Sequence, residues 1–283
     1  MDGVLIVDAG SSKTDWSFLI GKDSDPIRFK TDGINPAHMS CEAIRDKLKG
    51  LERHLPVAEL KEIYYFGAGC ASAFLREKVK ESLIETFQIQ KISVASDLYA
   101  ASLALFGDAD GIPCILGTGS NSGLYLQGEL KQPIPSLGYI IGDEGSGVAL
   151  GKRLLNSIFK KQLSPGLIEK FESVYKLRVP ELIESVYLKP RPAQFLSSFS
   201  TFLKDNIHEN EIVDLVSGEF DSFFIKNILP LGNIIYNYKV GFVGSIAFYF
   251  EELVKKSAEK FNLEISSVIK KPLPSLERYF LEK

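Results

Sequence analysis

The sequence predicts an α/β protein built from two similar lobes, and two stretches carry that expectation. The first is Gly117-Thr118-Gly119-Ser120-Asn121-Ser122-Gly123, set between the apolar runs 112–116 and 124–126, which reads as strand, glycine-rich turn, strand. The second lies near the N-terminus, where Val4–Val7 runs into Asp8-Ala9-Gly10-Ser11-Ser12-Lys13-Thr14 and out through Asp15–Ile20. Glycines interleaved with hydroxyl and amide side chains let the backbone approach an anion and offer N–H and O–H donors without bulk, which is what a phosphate needs. One such run is also ordinary turn chemistry. Two copies about a hundred residues apart point to a duplicated design facing one phosphate-bearing ligand.

The remaining elements follow in order. Residues 3–7, 14–20 and 27–31 read as three successive antiparallel strands. Thr31–Pro36 breaks the pattern. Helical spacing runs from Ser40 to Gly50, a buried strand covers Glu62–Phe66, and Ser72–Phe87 carries an amphipathic stripe through Phe74, Leu75, Val79, Leu83, Ile84 and Phe87. A short strand at Lys91–Ala95 leads to a helix opened by Asp97. Three strands followed by alternating helix and strand make an α/β lobe with a mixed sheet. After the central hairpin and the connector Gln127–Pro135, Gly142-Asp143-Glu144-Gly145-Ser146-Gly147 leads into a helix with Val148, Leu150, Leu154, Leu155 and Ile158. Residues 166–235 read as mostly helical. Lys239–Val243 is a strand, broken by Gly244-Ser245 and continued by a helix to about Lys260, with a last strand at Glu264–Ile269 and a terminal helix at Pro274–Leu281. The expected domains are 1–107, with the terminal segment 270–283 packed on it, and 108–269.

At 283 residues the chain can bury a sizeable core. A net charge of −3 with scattered pairs such as Lys152-Arg153 and Lys255-Lys256 speaks against nucleic-acid binding. Cys41, Cys70 and Cys114 fall in no CxxC arrangement, so neither a disulfide framework nor a zinc or iron–sulfur site is signalled, and a reducing cytoplasm is the natural setting. His38, His54 and His208 share no metal-binding spacing. No apolar run approaches the length of a membrane span, and the first begins almost at Met1 with no basic leader before it.

Five stations thus stand in sequence: Asp8 with its glycine-rich turn, Asp97 at a strand–helix junction, the 117–123 turn, Gly142–Gly147, and the strand–Gly–Ser–helix at 241–247. Their order and spacing resemble the actin-like ATPase superfamily that contains the sugar kinases, and within it the N-acetylglucosamine kinase and BadF/BadG-type ATPase family. The resemblance covers nearly the whole chain. Its most specific pieces are Gly117-Thr118-Gly119-Ser120-Asn121 and Gly142-Asp143-Glu144-Gly145-Ser146 behind an N-terminal Asp-x-Gly-x-x-Lys-Thr run. It implies a two-lobed actin-like ATPase (ribonuclease H-like) fold with duplicated mixed-sheet domains and ATP in the cleft between them.

The resemblance also implies roles. Asp8 would hold a hydrated Mg2+, while Gly10, Ser11, Ser12, Lys13 and Thr14 form the first phosphate loop and Gly117, Thr118, Gly119 and Ser120 the second. Gly241, Gly244 and Ser245 would lie against the adenosine or α-phosphate. Phosphoryl transfer is chiefly a matter of positioning and charge neutralisation, so such groups are the required parts. Asp97 would be the general base that takes the proton of the acceptor hydroxyl, although Ser96 and Asp97 are equally ordinary helix N-cap residues. Asn35, Asp97, Thr118, Asn121, Asp143 and Glu144 would contact the sugar, although Asn35-Pro36 also reads as a plain turn and 142–146 as a helix cap. Ala9 and Ser11 stand where many members carry glycine.

The implied activity is ATP-dependent phosphorylation of an amino sugar, N-acetylglucosamine to its 6-phosphate. N-acetylmuramic acid as acceptor, or an activator ATPase of acyl-CoA reductases and dehydratases, remain as alternatives. The activator would need cluster-ligating cysteines, which Ser120-Asn121-Ser122 does not supply. A non-catalytic sugar sensor is a third class. The partner is a small-molecule sugar, with neither nucleic acid nor membrane, and a homodimer is left open.

Overall fold

The computed structural model describes residues 3–10, 12–21 and 24–283. The chain divides into two compact units, Met1–Asp108 with Lys271–Lys283, and Ala109–Lys270.

In the first unit the strands β1 (Gly3–Ala9), β2 (Lys13–Leu19) and β3 (Ile27–Asp32) form an antiparallel meander, and α1 (Cys41–Leu48) follows. Then come β4 (Leu60–Gly67), α2 (Ala73–Phe87), β5 (Ile92–Ser96) and α3 (Asp97–Phe106). Strand order is β3-β2-β1-β4-β5, with β1, β4 and β5 parallel. Side-chain alternation along β4 sorts the two faces. Ile63 and Tyr65 join Leu5, Val7, Ile44, Leu48, Val79 and Leu83 in a core under α1 and α2, whereas Tyr64 and Phe66 turn to the opposite face. Three helices begin on a serine. Ser40, Ser72 and Ser96 accept from the N–H of Ala43, Leu75 and Tyr99 at 3.1, 3.3 and 3.2 Å, the geometry that offsets the orphan donors of a first turn.

The second unit holds β6 (Ile112–Leu116), β7 (Ser120–Ser122), β8 (Leu124–Leu126) and β9 (Glu129–Lys131). Beyond them lie α4 (Gly138–Ile141), α5 (Gly147–Phe159), α6 (Pro165–Tyr175), α7 (Val179–Tyr187), α8 (Pro192–Ser198), α9 (Ser200–Asp205) and α10 (Asn210–Phe223). The unit closes with β10 (Val240–Val243), α11 (Ser245–Tyr249), α12 (Glu251–Glu259) and β11 (Ile265–Ile269). Its sheet runs β11-β10-β6-β7, with β7 antiparallel to β6. A phenylalanine-rich core, including Phe171, Phe202, Phe220, Phe223, Phe224 and Phe242, fills the space between this sheet and the helices. The final helix, α13 (Leu273–Glu282), belongs to the first unit.

Three expectations are corrected. The stretch 117–123, expected as one turn between strands at 112–116 and 124–126, itself carries β7, so β6 turns back over 117–119 to pair with Ser120–Ser122 while 124–126 pairs with β9. The connector 127–135 contains β9, joined to β8 by the two-residue turn Gln127-Gly128, whose φ values of 54° and 79° are those of a tight hairpin turn. The helix expected from 246 to 260 breaks at Phe250 (φ −115°, ψ 27°), which leaves helical geometry with its ring buried against Phe220, 6.2 Å away. Among the described residues, no helix is long and apolar enough to cross a membrane.

Candidate active site

In the first unit, the parallel strands β1, β4 and β5 end together. Ala9 pairs with Gly67 and Gly67 with Ser96, so Asp8, the 67–69 turn and Asp97 gather at the carboxyl edge of the sheet, where open α/β sheets bind ligands. Asp8 lies directly across from Asp15 on β2. It is set deep but keeps part of its surface open, and burial, with the charges of Asp15 and Asp97, pushes its carboxyl up to about 7. Asp15 is buried and held by Lys271, whose Nζ donates to both carboxylate oxygens at 3.1 and 3.0 Å. A carboxyl pressed upward by burial and by neighbouring negative charge is one that a divalent cation would return to its ionised form.

Asp97 is the first residue of α3, while the cap falls to Ser96. The Asp97 Oδ1 accepts the Leu98 N–H at 2.8 Å, and burial raises its carboxyl above the ordinary range in spite of that bond. Asn35 is brought to the same edge from the loop after β3. Its Oδ1 accepts from Ala37 N–H at 3.0 Å and comes so close to the 67–69 turn that a Cβ on Gly69 (φ +82°) would stand 2.1 Å from it. Lys78 on α2 fastens this loop by donating to the carbonyls of Pro36, at 2.9 Å, and Met39. In the hairpin turn, Gly10 N–H donates to the Lys13 carbonyl at 2.9 Å. Ser12 is half-buried, Lys13 exposed and Thr14 buried, with its hydroxyl on the Asp32 carbonyl. Ser11 lies outside the described residues.

In the second unit, the turn after β6 is closed by Gly117 N–H on the Gly119 carbonyl at 3.0 Å. The first amides of α5, at Gly147 and Val148, donate to the carbonyls of Gly117 and Thr118 at 2.9 and 3.1 Å, so the orphan donors of that helix are spent on holding the turn. Asp143, in left-handed geometry at φ 59°, folds over it. Its Oδ1 accepts the Ser120 N–H at 3.1 Å, and a Cβ on Gly119 would stand 2.8 Å from Oδ2. Burial raises this carboxyl against the lowering pull of that N–H and of Lys152. Glu144 accepts from Lys226 Nζ at 3.1 Å and Asn227 Nδ2 at 3.4 Å; burial opposes its ionisation, but these donors and its own N–H leave it below the usual value. Asn121 Oδ1 accepts from Ser122 N–H and Gln132 Nε2 at 3.0 and 2.8 Å.

The loop after β10 presses on the same turn. Gly244, at φ +130°, approaches so closely that a Cβ would meet the Leu116 carbonyl at 2.2 Å. Ser245 is exposed beside it, whereas Gly241 is buried within β10 and pairs with Pro113 and Ser267. A cavity of about 610 Å³ opens beside residues 140–144, lined by Lys152, Arg153 and Lys226.

The structure therefore gathers Asp8, Gly10, Lys13, Asn35 and Asp97 in one unit and the 117–121, 143–144 and 244–245 stations in the other. Sequence reasoning passed over Asp15 and Lys271. The first could have been found, since a hairpin turning at 10–13 sets residues 8 and 15 opposite one another, but Lys271 is reached only through the fold.

Among the described residues, no group of three or more His, Cys, Asp or Glu side chains could cage a metal. The donor set at Asp8 instead suits Mg2+, which takes one or two carboxylates and completes its shell with water and phosphate oxygens. The three cysteines are free. Burial pushes Cys70 up to about 12 and raises Cys114 far above its ordinary value, so neither is set up as a thiolate ligand.

The two mixed sheets, each entered through a strand–turn–strand, define the class: a two-lobed α/β protein of the actin-like ATPase fold. No family model matches the chain, and no curated protein matches it. Two solved structures named "Putative N-acetylglucosamine Kinase" do. The one from Porphyromonas gingivalis is 36% identical over 99% of each chain, with a TM-score of 0.93. The one from Chromobacterium violaceum is 16% identical over 100% of this chain and 99% of its own, with a TM-score of 0.75. A ROK family glucokinase from Streptomyces griseus, in complex with glucose and AMPPNP, is similar in fold at 12% identity, covering 95% of this chain and 94% of its own, with a TM-score of 0.55. The chain belongs to the N-acetylglucosamine kinase family of the actin-like ATPases. Sugar kinases are among its structural neighbours.

Proposed function

We propose that this protein is a cytoplasmic kinase that uses Mg-ATP to phosphorylate an amino sugar, N-acetylglucosamine, at its 6-hydroxyl. The observation that carries the reading is Asp97. Ser96 takes the capping role, one Asp97 oxygen rests on Leu98 N–H, and burial raises the carboxyl toward the range in which a general base is effective. Asp97 takes the proton of the sugar hydroxyl as that oxygen attacks the γ-phosphorus and the bond to the ADP oxygen breaks. Mg2+, held through Asp8, supplies charge neutralisation on the phosphates when bound.

The chain's own residues do the rest. Ser11, Ser12 and Lys13 on one hairpin and Thr118 on the other offer hydroxyl and ammonium donors to phosphate, while Gly10, Thr14, Gly117, Gly119 and Ser120 shape the two turns through their bonds to one another and to Lys13, Asp32 and Asp143. Gly244 and Ser245 border the nucleotide, and the buried Gly241 sets the strand that carries them. Asn35, Thr118, Asn121, Asp143 and Glu144 orient the sugar, with Asp143 doing so while it clamps the second turn. Removing such a partner leaves a buried polar group unpaired, which is how the wrong sugar is rejected.

The test is ADP release from Mg-ATP with N-acetylglucosamine, N-acetylmuramic acid, N-acetylmannosamine, glucose or no sugar, for the native protein and Asp97→Asn. Release that needs N-acetylglucosamine and is lost in the variant is expected. Release indifferent to every sugar would overturn the kinase reading, and a preference for N-acetylmuramic acid would move the acceptor.

A further inference from the structure

On the sheet face of the first unit that carries Tyr64 and Phe66, α3 and α13 leave a groove of about 500 Å³, within the range of roughly 300–1,000 Å³ usual for small-molecule sites. Its floor is aromatic. Tyr64 and Phe280 stand 4.2 Å apart between ring centroids, and Phe66 lies 6.4 Å from both Phe280 and Tyr99. Its rim carries the ammonium groups of Lys61, Lys91 and Lys283, of which Lys91 is held by Glu62 at 2.6 Å and Lys283 by Asp108 at 3.3 Å. Ring faces receive a planar base or the C–H face of a pyranose, and ammonium groups receive a phosphate. Nothing in the phosphoryl-transfer chemistry above uses these residues.

The groove also reaches the catalytic junction. Ala95 and Tyr99 line it, two residues to either side of Asp97 at the end of β5 and the start of α3. A ligand against them touches the elements that fix the Asp97 backbone.

We propose that this groove is a second binding site, for a small phosphorylated ring compound, whose occupant alters turnover through the β5–α3 junction. The phosphate meets Lys61 and Lys91, and the ring lies against Tyr64, which Phe280 backs from its other side. A sugar 6-phosphate and a nucleoside monophosphate share this chemistry. Naming the sugar phosphate as one source rests on the kinase reading; the groove itself does not.

Calorimetry on the full chain tests it, with N-acetylglucosamine 6-phosphate, AMP and inorganic phosphate as probes. The proteins compared are the native chain, Lys61→Glu/Lys91→Glu, the groove-filling Ser93→Trp, and Lys49→Glu as a distant charge control. At least one phosphorylated ring should bind the native protein and Lys49→Glu alike, and bind at least tenfold more weakly to both groove variants. Whichever probe does so names the source. In the native protein, the same probe should change kcat in a manner the groove variants lose. Binding that is equal in all four proteins, absent up to roughly 10 mM, or matched by inorganic phosphate alone would overturn the proposal, as would binding with no effect on kcat. If the kinase reading fails, sugar-dependent ADP release is missing in the native protein. If the groove fails, that release persists and the groove variants bind as the native does. With no turnover at all, the effect on kcat fails together with the kinase reading, and the binding comparison decides whether the groove is a binding site.

Discussion

The two strand–turn–strand hairpins solve the same geometric problem by different means. At the N-terminal hairpin the means is charge. Asp8 and Asp15 face each other across the ladder, Lys271 holds Asp15, and Glu277 on α13 accepts from Ser17 of β2 at 2.6 Å and from Nε and Nη2 of Arg28 on β3 at 2.7 and 2.6 Å. At the central hairpin the means is close packing of backbone. Helix amides donate to its carbonyls, Gly244 abuts Leu116, and Asp143 lays its carboxylate on it. The lesson is a division of labour, in which one hairpin manages ionisation and the other manages shape.

That contrast can be broken at several points. The largest effect belongs to Asp97→Asn, which should lower kcat by roughly 10²–10⁴-fold with the melting temperature preserved; loss of the fold instead would make Asp97 a structural residue. For the native enzyme, kcat/KM should fall on the acid side with a midpoint above the ordinary aspartate value of 3.8, because the base must be ionised and burial raises its pKa. A midpoint at or below that value would remove Asp97 from the role.

Next is Gly244→Ala, where positive φ and a 2.2 Å clash with backbone combine. A loss of about 3 kcal/mol in denaturant unfolding is expected, and a change under ~0.5 kcal/mol would mean that the turn is not sterically held. Asp143→Ala should cost about 1–3 kcal/mol by leaving Ser120 N–H unpaired, while Asp143→Asn, which keeps an acceptor oxygen, should restore most of it.

The smallest effect sharpens the charge side. Burial opposes ionisation of Glu277, but Arg28 and Ser17 hold its folded pKa below the ordinary 4.5. Its stabilisation is therefore complete above pH 4.5 and lost as pH falls through the lowered folded value. Because the Arg28 side chain is 56% exposed, Glu277→Gln should cost only about 1 kcal/mol at neutral pH. The gap should close in acid, and a pH-independent gap would assign the effect to packing.

The strands at 3–7, 14–20 and 27–31 were legible because each is a short apolar or alternating run bounded by turn residues, and they form within a few residues of those bounds. The serines before α1, α2 and α3 were legible for the same local reason. Gln127-Gly128 was not, since a glutamine at positive φ carries little turn signal. At the site, the carboxylates could be named from the sequence but their surroundings could not. The hold of Lys271 on Asp15 spans 256 residues, and the clamp of Asp143 on Ser120 spans 23, in a backbone geometry that aspartate rarely adopts.

The return of α13 to the first unit has a consequence for synthesis. Residues 109–270 are continuous and can condense while the ribosome is still translating, but β2 cannot receive Lys271 and Glu277 until the codons for 271–277 are read. The unit begun first is thus completed after the second, and a chain stalled before residue 271 would present the first unit without the helix that covers β1 and β2.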